Sequence, residues 1–199
     1  MVCAGFAALL GVLVAVSWPP LIRLDDDVTD AVTRWVGERP ALVDAATILT
    51  DVLAPWPLRV VALVVAVSLA VRGQRRAAVW VVAVLVAGAV TSGGLKLLVS
   101  RARPTLDDPL LDETGYAWPS GHALAGALVA ALLVTLAPPR VRRCLLPVAV
   151  VGAVAVGLSR VVLGVHWASD VVSGWLLGVA VVLAAAAVAP PYRSRDETR

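Results

Sequence analysis

Long uncharged runs alternate with short polar breaks along this chain. Met1 to Ile22, Ala77 to Leu95, Cys144 to Ser159 and Val171 to Ala189 carry no charged side chain. Apolar runs near 20 residues are long enough to cross the roughly 30 Å hydrocarbon core of a bilayer as helices. The pattern predicts an all-α integral membrane bundle of six transmembrane helices. Span one covers Met1 to Ile22 and ends at an interface marked by Trp18, Pro19 and Pro20. It lacks a basic n-region and a clear cleavage site, so a retained span is expected rather than a signal peptide. Pro55, Trp56 and Pro57 open span two, which runs to Val71 with Arg59 snorkelling near its start. Span three starts at Ala77. Its helix is expected to continue to Arg103, because the residue before Pro104 is biased away from the α region. Spans four to six are read at Ser120 to Ala137, Cys144 to Leu163 and Ser169 to Ala189.

Between spans one and two lies the longest polar stretch, Arg23 to Asp51. Asp25, Asp26 and Asp27 read as a helix start, since acids favour the first turn. Val28, Ala31, Val32, Trp35 and Val36 recur at helical spacing, Pro40 interrupts, and a second helix follows from Ala41. Two short surface helices are expected, either as connectors or as a cap over a site entrance. A polar loop, Thr105 to Pro119, carries Asp107, Asp108, Asp112 and Glu113.

Composition narrows the class. A chain that is 60% hydrophobic, with mean hydropathy +0.88, is not an ordinary soluble domain. Its 199 residues suit one membrane domain, 1–199, with the candidate chemistry confined to a core at 77–189. Cys3 and Cys144 suggest neither a disulfide framework nor a metal cluster. The net charge of +3 comes from arginines scattered at helix ends, so no nucleic-acid partner is expected. The distribution of charge also orients the chain. Arg72, Arg75 and Arg76 follow span two, Arg140, Arg142 and Arg143 follow span four, and the tail adds Arg193, Arg195 and Arg199. The positive-inside rule makes these segments, and both termini, cytoplasmic. Of the 14 acidic residues, all but Asp196 and Glu197 fall on the opposite, outer side.

Three polar clusters meet that outer side. In Ser159 to Asp170, His166 and Asp170 are four apart and on a helix would share a face, and Arg160 lies six residues upstream of His166. An aspartate beside an imidazole fixes its tautomer and supports its charged form, which suits a histidine nucleophile with an anion clamp. Lys96 and Arg103, seven apart, would share one face of the third span. In Pro119-Ser120-Gly121-His122, Ser120 is a good N-cap. Behind it the first-turn N–H groups can bind phosphate, and Gly121 lets an anion approach. A surface salt bridge, a snorkelling lysine and a plain serine cap are the bland alternatives. The distribution of histidines argues against them, because both of the chain's 2 histidines fall inside these clusters. Zinc on His122, His166 and Asp170 is set aside because Lys96, Arg103 and Arg160 would oppose a dication, so no metal or other cofactor is expected.

These three motifs, in this order and spacing, resemble the signature of the type 2 phosphatidic acid phosphatase superfamily, which also includes vanadium-dependent haloperoxidases. The resemblance implies a metal-independent membrane phosphatase acting on a lipid phosphate or diphosphate. It implies that His166 attacks phosphorus to form a phosphohistidine and that Asp170 orients it. His122 would protonate the leaving group and then activate water. Lys96, Arg103, Ser120, the Gly121 amide and Arg160 would hold the phosphoryl oxygens. The expected partners are the lipid substrate and the bilayer, with the site at the extracytoplasmic face of the plasma membrane. A phosphotransferase on the same scaffold and a non-catalytic lipid-anion binder or transporter are the rivals. Haloperoxidase chemistry is disfavoured, because those members are largely soluble.

Overall fold

The computed structural model describes residues 2–106, 110–111 and 113–192. These form eight helices: α1 (Val2–Ala15), α2 (Pro19–Gly37), α3 (Pro40–Val52), α4 (Pro55–Val71), α5 (Arg75–Val99), α6 (Gly121–Leu136), α7 (Pro139–Val162) and α8 (Ala168–Val188). Asp107, Asp108, Asp112 and the tail from Arg193 lie outside the described residues.

Prolines set four of the helix starts. Pro19 and Pro20, Pro40, Pro55 and Pro139 occupy first-turn positions, where a missing N–H costs no helical hydrogen bond. Two expected boundaries are thereby corrected. The first span stops at Ala15, and α1 and α2 meet at a 92° bend. The second helix begins at Pro19 rather than at Asp25, so the aspartate triplet lies inside α2.

A third correction matters more for the chemistry. The helix of span three ends at Val99, not at Arg103. Ser100 takes a left-handed conformation (φ 50°, ψ 34°) and its N–H bonds back to the Lys96 carbonyl. The chain then leaves the helix, and Ala117 donates to the Arg101 carbonyl at 2.9 Å. Lys96 and Arg103 therefore do not share a helix face.

The continuous Pro40–Val71 stretch, α5, α7 and α8 are each long and apolar enough to cross a membrane. The bent α1–α2 pair is a fifth such segment, and α6 is apolar but only 16 residues long. The molecule is a multi-pass membrane protein. Val79, Val82, Val86 and Val90 on α5 and Val148 and Val151 on α7 are exposed, a surface suited to lipid rather than water.

Helix α6 is the centre of the bundle and is apolar on every side, as a helix surrounded by others must be. Its Leu124, Leu128, Val129 and Leu132 form one core with Ala62 and Ala66 of α4, Trp80, Val81 and Val84 of α5 and Val182 of α8. Helix α8 approaches α6 most closely at Gly174 and Gly178. A Cβ on Gly174 would lie 2.7 Å from the Ser120 carbonyl oxygen, and one on Gly178 would lie 2.5 Å from that of Leu124. Small residues one turn apart let two helix backbones meet. The close approach also brings the start of α8 beside the start of α6, where Ser120 N–H donates to the Asp170 carbonyl at 3.0 Å. Helix α1 docks on the same corner, with Gly11 against the Trp118 ring and Trp118 Nε1 donating to Ser173 Oγ at 2.9 Å.

Candidate active site

The turn between α7 and α8 holds His166, which is 2% exposed. Its Nδ1 lies 3.4 Å from Asp170 Oδ2, at the long end of hydrogen bonding. The same Oδ2 accepts from Trp167 N–H at 3.0 Å, which pins the carboxylate across the first turn of α8. On the other edge of the ring, Arg103 Nη1 lies 3.2 Å from Nε2. A guanidinium has no acceptor, so this contact requires a lone pair on Nε2 and leaves the proton on Nδ1, facing Asp170. Burial is the largest influence on this imidazole and drives its pKa down to about 4. Asp170 pulls the other way, and Arg103 and Arg160 push it further down. Near neutral pH the ring is therefore uncharged, with the Nε2 lone pair facing Arg103.

Arg103 is fixed by backbone carbonyls. It donates through Nη1 to Val165 at 2.8 Å, through Nε to Gly115 at 3.0 Å and through Nη2 to Thr114 at 3.2 Å. Arg160, 1% exposed, donates through Nη1 to Thr50 Oγ1 at 2.8 Å. Between the two guanidiniums sits Glu113, with Oε2 3.0 Å from Arg103 Nη2 and Oε1 on Arg160 Nη2. Burial opposes its ionisation most strongly, yet Arg160 and Arg103 together outweigh that and hold the carboxyl below its usual range. The pair of arginines thus grips an anionic group, and one of the two, Arg103, also touches the histidine.

Ser120, fully buried, caps α6 by accepting from Ala123 N–H at 3.5 Å. A Cβ on Gly121 would meet only Ser92 Oγ, at 3.8 Å, so the approach to this helix start is open. Gly121, Ser92 and Arg59 line a cavity of about 60 Å³ between α4, α5 and α6. His122 is partly buried and lies within electrostatic reach of Arg160, Glu113, His166 and Arg103. Lys96 donates to the Tyr116 carbonyl at 2.5 Å and lies within reach of Arg103, Glu113 and Asp170. All eight candidate residues therefore converge on one end of α6 and α8. Among the described residues no group of three His, Cys, Asp or Glu side chains is placed to hold a metal.

Five contributors were not anticipated from the sequence. Arg101 Nη1 donates to Asp170 Oδ1 at 2.6 Å and to Ser169 Oγ at 2.8 Å, while its Nη2 donates to Asp25 Oδ2 at 2.7 Å. Asp25 also accepts from Ser169 N–H at 2.9 Å and from Ser169 Oγ at 2.5 Å. Thr50 and Glu113 complete the Arg160 environment. Expecting a helix through Arg103 hid Arg101, because residues two apart on a helix point to nearly opposite sides, whereas on an extended segment they share one.

A family model described as PAP2 superfamily matches residues 77–193. The chain is 38% identical over 91 residues to phosphatidylglycerophosphatase B of Bacillus subtilis, 43% of this chain and 44% of that protein. It is 43% identical over 65 residues to undecaprenyl-diphosphatase of Sulfolobus acidocaldarius, 33% of this chain and 30% of that protein. Phosphatidylglycerophosphatase B of Escherichia coli matches at 42% over 73 residues, 37% and 29% of the two chains. Each match spans less than half the length of the relative. The crystal structure of a transmembrane PAP2 type phosphatidylglycerolphosphate phosphatase from Bacillus subtilis superposes with a TM-score of 0.83 at 23% identity, over 98% of this chain and 100% of that one. That likeness is one of fold.

Proposed function

The chain belongs to the PAP2 superfamily, and on that premise we propose that it is a membrane phosphatase that hydrolyses a lipid phosphomonoester or diphosphate through a phosphohistidine. The observation that carries this reading is the anion grip at the histidine: Arg103 and Arg160 share one carboxylate, and Arg103 also touches Nε2 of a buried, neutral His166. A substrate phosphoryl group displaces Glu113 from that grip. As Arg103 turns from Nε2 to the phosphoryl oxygens, His166 Nε2 forms the bond to phosphorus while the bond to the leaving oxygen breaks, and His122, protonated on entering this step, gives that oxygen its proton. Asp170 supports the imidazolium that results. In the second half, His122 takes a proton from water, the water oxygen bonds to phosphorus, and the P–N bond breaks to release phosphate. Lys96, Arg103, Arg160, Ser120 and the Gly121 amide hold the equatorial oxygens, where charge spreads in the transition state. Acid–base assistance of the kind assigned to His122 is typically worth about 10²–10⁴-fold.

One domain spanning 1–199, crossing the bilayer six times, accommodates this chemistry. In the orientation set by the arginine-rich turns, both termini are cytoplasmic and the site faces outward at the plasma membrane. The names of the relatives favour phosphatidylglycerol phosphate and polyprenyl diphosphate as substrates, with phosphatidic acid a third candidate. The test is phosphate release from these three lipids in detergent with EDTA present, with His166→Ala as control. EDTA-resistant release that the variant abolishes supports the proposal. Release only when an acceptor lipid is added indicates a phosphotransferase, and binding without release indicates an anion carrier.

A further inference from the structure

Residues 1–76 lie outside the segment that the family model matches, yet one of their side chains is built into the nucleophile's support. Asp25 of α2 is 1% exposed and Asp170 of α8 is fully buried, and Arg101 lies between them with one Nη on each carboxylate. Both Asp25 oxygens also hold Ser169, through N–H and Oγ. The Arg101 guanidinium is stacked over Trp167, 5.2 Å from its ring centroid. A lone arginine on Asp170 would cancel the charge that the aspartate offers to His166. A second carboxylate on the far side of that arginine cancels the arginine instead. We infer that Asp25 and Arg101 are positioning residues for the reaction: together they fix the Asp170 carboxylate against His166 and leave the three-group cluster with one net negative charge, which stabilises the imidazolium formed when His166 bonds to phosphorus.

This inference rests on the phosphatase reading above, and it makes predictions of opposite sign. Asp25→Asn leaves the cluster neutral and disfavours protonated His166. Arg101→Gln leaves two negative charges and favours it. Asp25→Asn with Arg101→Gln restores a single negative charge. The other charged and titratable groups facing this site stay in place in all three variants. These are Arg103 and Arg160 beside His166, Glu113 from the loop, His122 from α6, and Lys96 of α5 facing Asp170. Asp26 and Asp27 are exposed on α2 and also stay.

The experiment is a histidine-selective NMR titration in detergent. With only 2 histidines in the chain, a His122→Asn background leaves His166 as the sole imidazole. Asp25→Asn is expected to lower the His166 pKa by about one unit and Arg101→Gln to raise it by a similar amount, the scale of one unit charge at an effective dielectric near 20. The double variant is expected to return it, and Arg101→Lys to leave it in place. If Arg101→Gln does not fold, the downward shift in Asp25→Asn and its reversal in the double variant carry the same test. Titrations that stay put, or that move together, overturn the inference. With His122 restored, kcat is expected to fall at least about tenfold in Asp25→Asn with KM little changed, because the support acts on the charge that develops during reaction. A loss confined to KM also overturns it. If the unsubstituted protein releases no phosphate from any lipid, the phosphatase reading fails, while the titration still decides whether Asp25 and Arg101 set the charge at His166.

Discussion

Replacing Gly174 by alanine tests whether the α6–α8 approach sets the geometry of the site. The new Cβ would lie 2.7 Å from Ser120 O, 2.9 Å from Ala123 Cβ and 3.0 Å from Leu124 N. Two of these are backbone atoms and cannot rotate away. Ordinary contact begins near 3.4 Å, so α8 must move off by roughly 0.7 Å in an interior packed to crystal density. Overpacking of this kind costs about 1–3 kcal/mol, against about 1 kcal/mol gained from the better helix propensity of alanine. The net is a loss of up to about 2 kcal/mol, or a fall in Tm of a few degrees for a chain of this size. Activity should suffer more. The displaced segment carries Asp170 and follows directly on His166, while the opposing one carries Ser120 and His122, and misplacement on the order of 1 Å can cost about 100-fold. The expected result is a 10–100-fold lower kcat (about 1.4–2.7 kcal/mol), measured as phosphate release beside thermal unfolding in detergent. Gly152→Ala is the control, because nothing lies within 4 Å of its Cβ. It should leave activity unchanged and Tm equal or higher. Wild-type kcat and Tm in Gly174→Ala, or equal damage from Gly152→Ala, would refute the reasoning.

Other outcomes are expected on the same grounds. His166→Ala should abolish turnover and phosphohistidine labelling while the protein still unfolds cooperatively, and residual phosphatase activity above about a thousandth would remove His166 as nucleophile. Because His166 must be neutral to attack and its pKa is pushed down to about 4, kcat/KM should rise with pH through about 4 and be flat on that limb by pH 6; a limb near 6.5 would contradict the buried, arginine-flanked ring. Glu113→Gln should strengthen inhibition by inorganic phosphate about fivefold, since the carboxylate occupies the anion grip. Glu113 is 25% exposed, so its ion pairs are discounted to about 1 kcal/mol. An unchanged or weaker phosphate Ki would mean that Glu113 does not compete with the phosphoryl group.

Three of the motif residues, His122, His166 and Lys96, were legible because their types are rare in this chain. Two histidines and the one lysine of the chain stand out against valine and alanine, and each lies at one end of an apolar run. What surrounds them was less so. Ser100 is not a glycine and gives no sign of its left-handed turn, so the sequence reads as helix through to Arg103 and does not single out Arg101. Asp25, Asp26 and Asp27 are chemically identical. Which of them is buried depends on the phase of a helix that starts at Pro19, inside what the pattern reads as the preceding span. Thr50 reads as one more residue of an amphipathic helix, and its bond to Arg160 joins positions far apart in sequence. Local pattern shows where helices lie. It does not show which polar residue a distant arginine will find.

The bonds from Asp25 to Ser169 join residues 144 positions apart. At roughly 5–20 residues per second, a ribosome needs about 7–30 s to make the intervening chain. Throughout that interval the partner of Asp25 on α8 is not yet synthesised. Arg101 emerges first and can meet Asp25 early, but Asp170 and His166 arrive only with the last helix. The network that joins Asp25, Arg101, Ser169 and Asp170 is therefore closed only when the last helix is made, late in the synthesis of the chain.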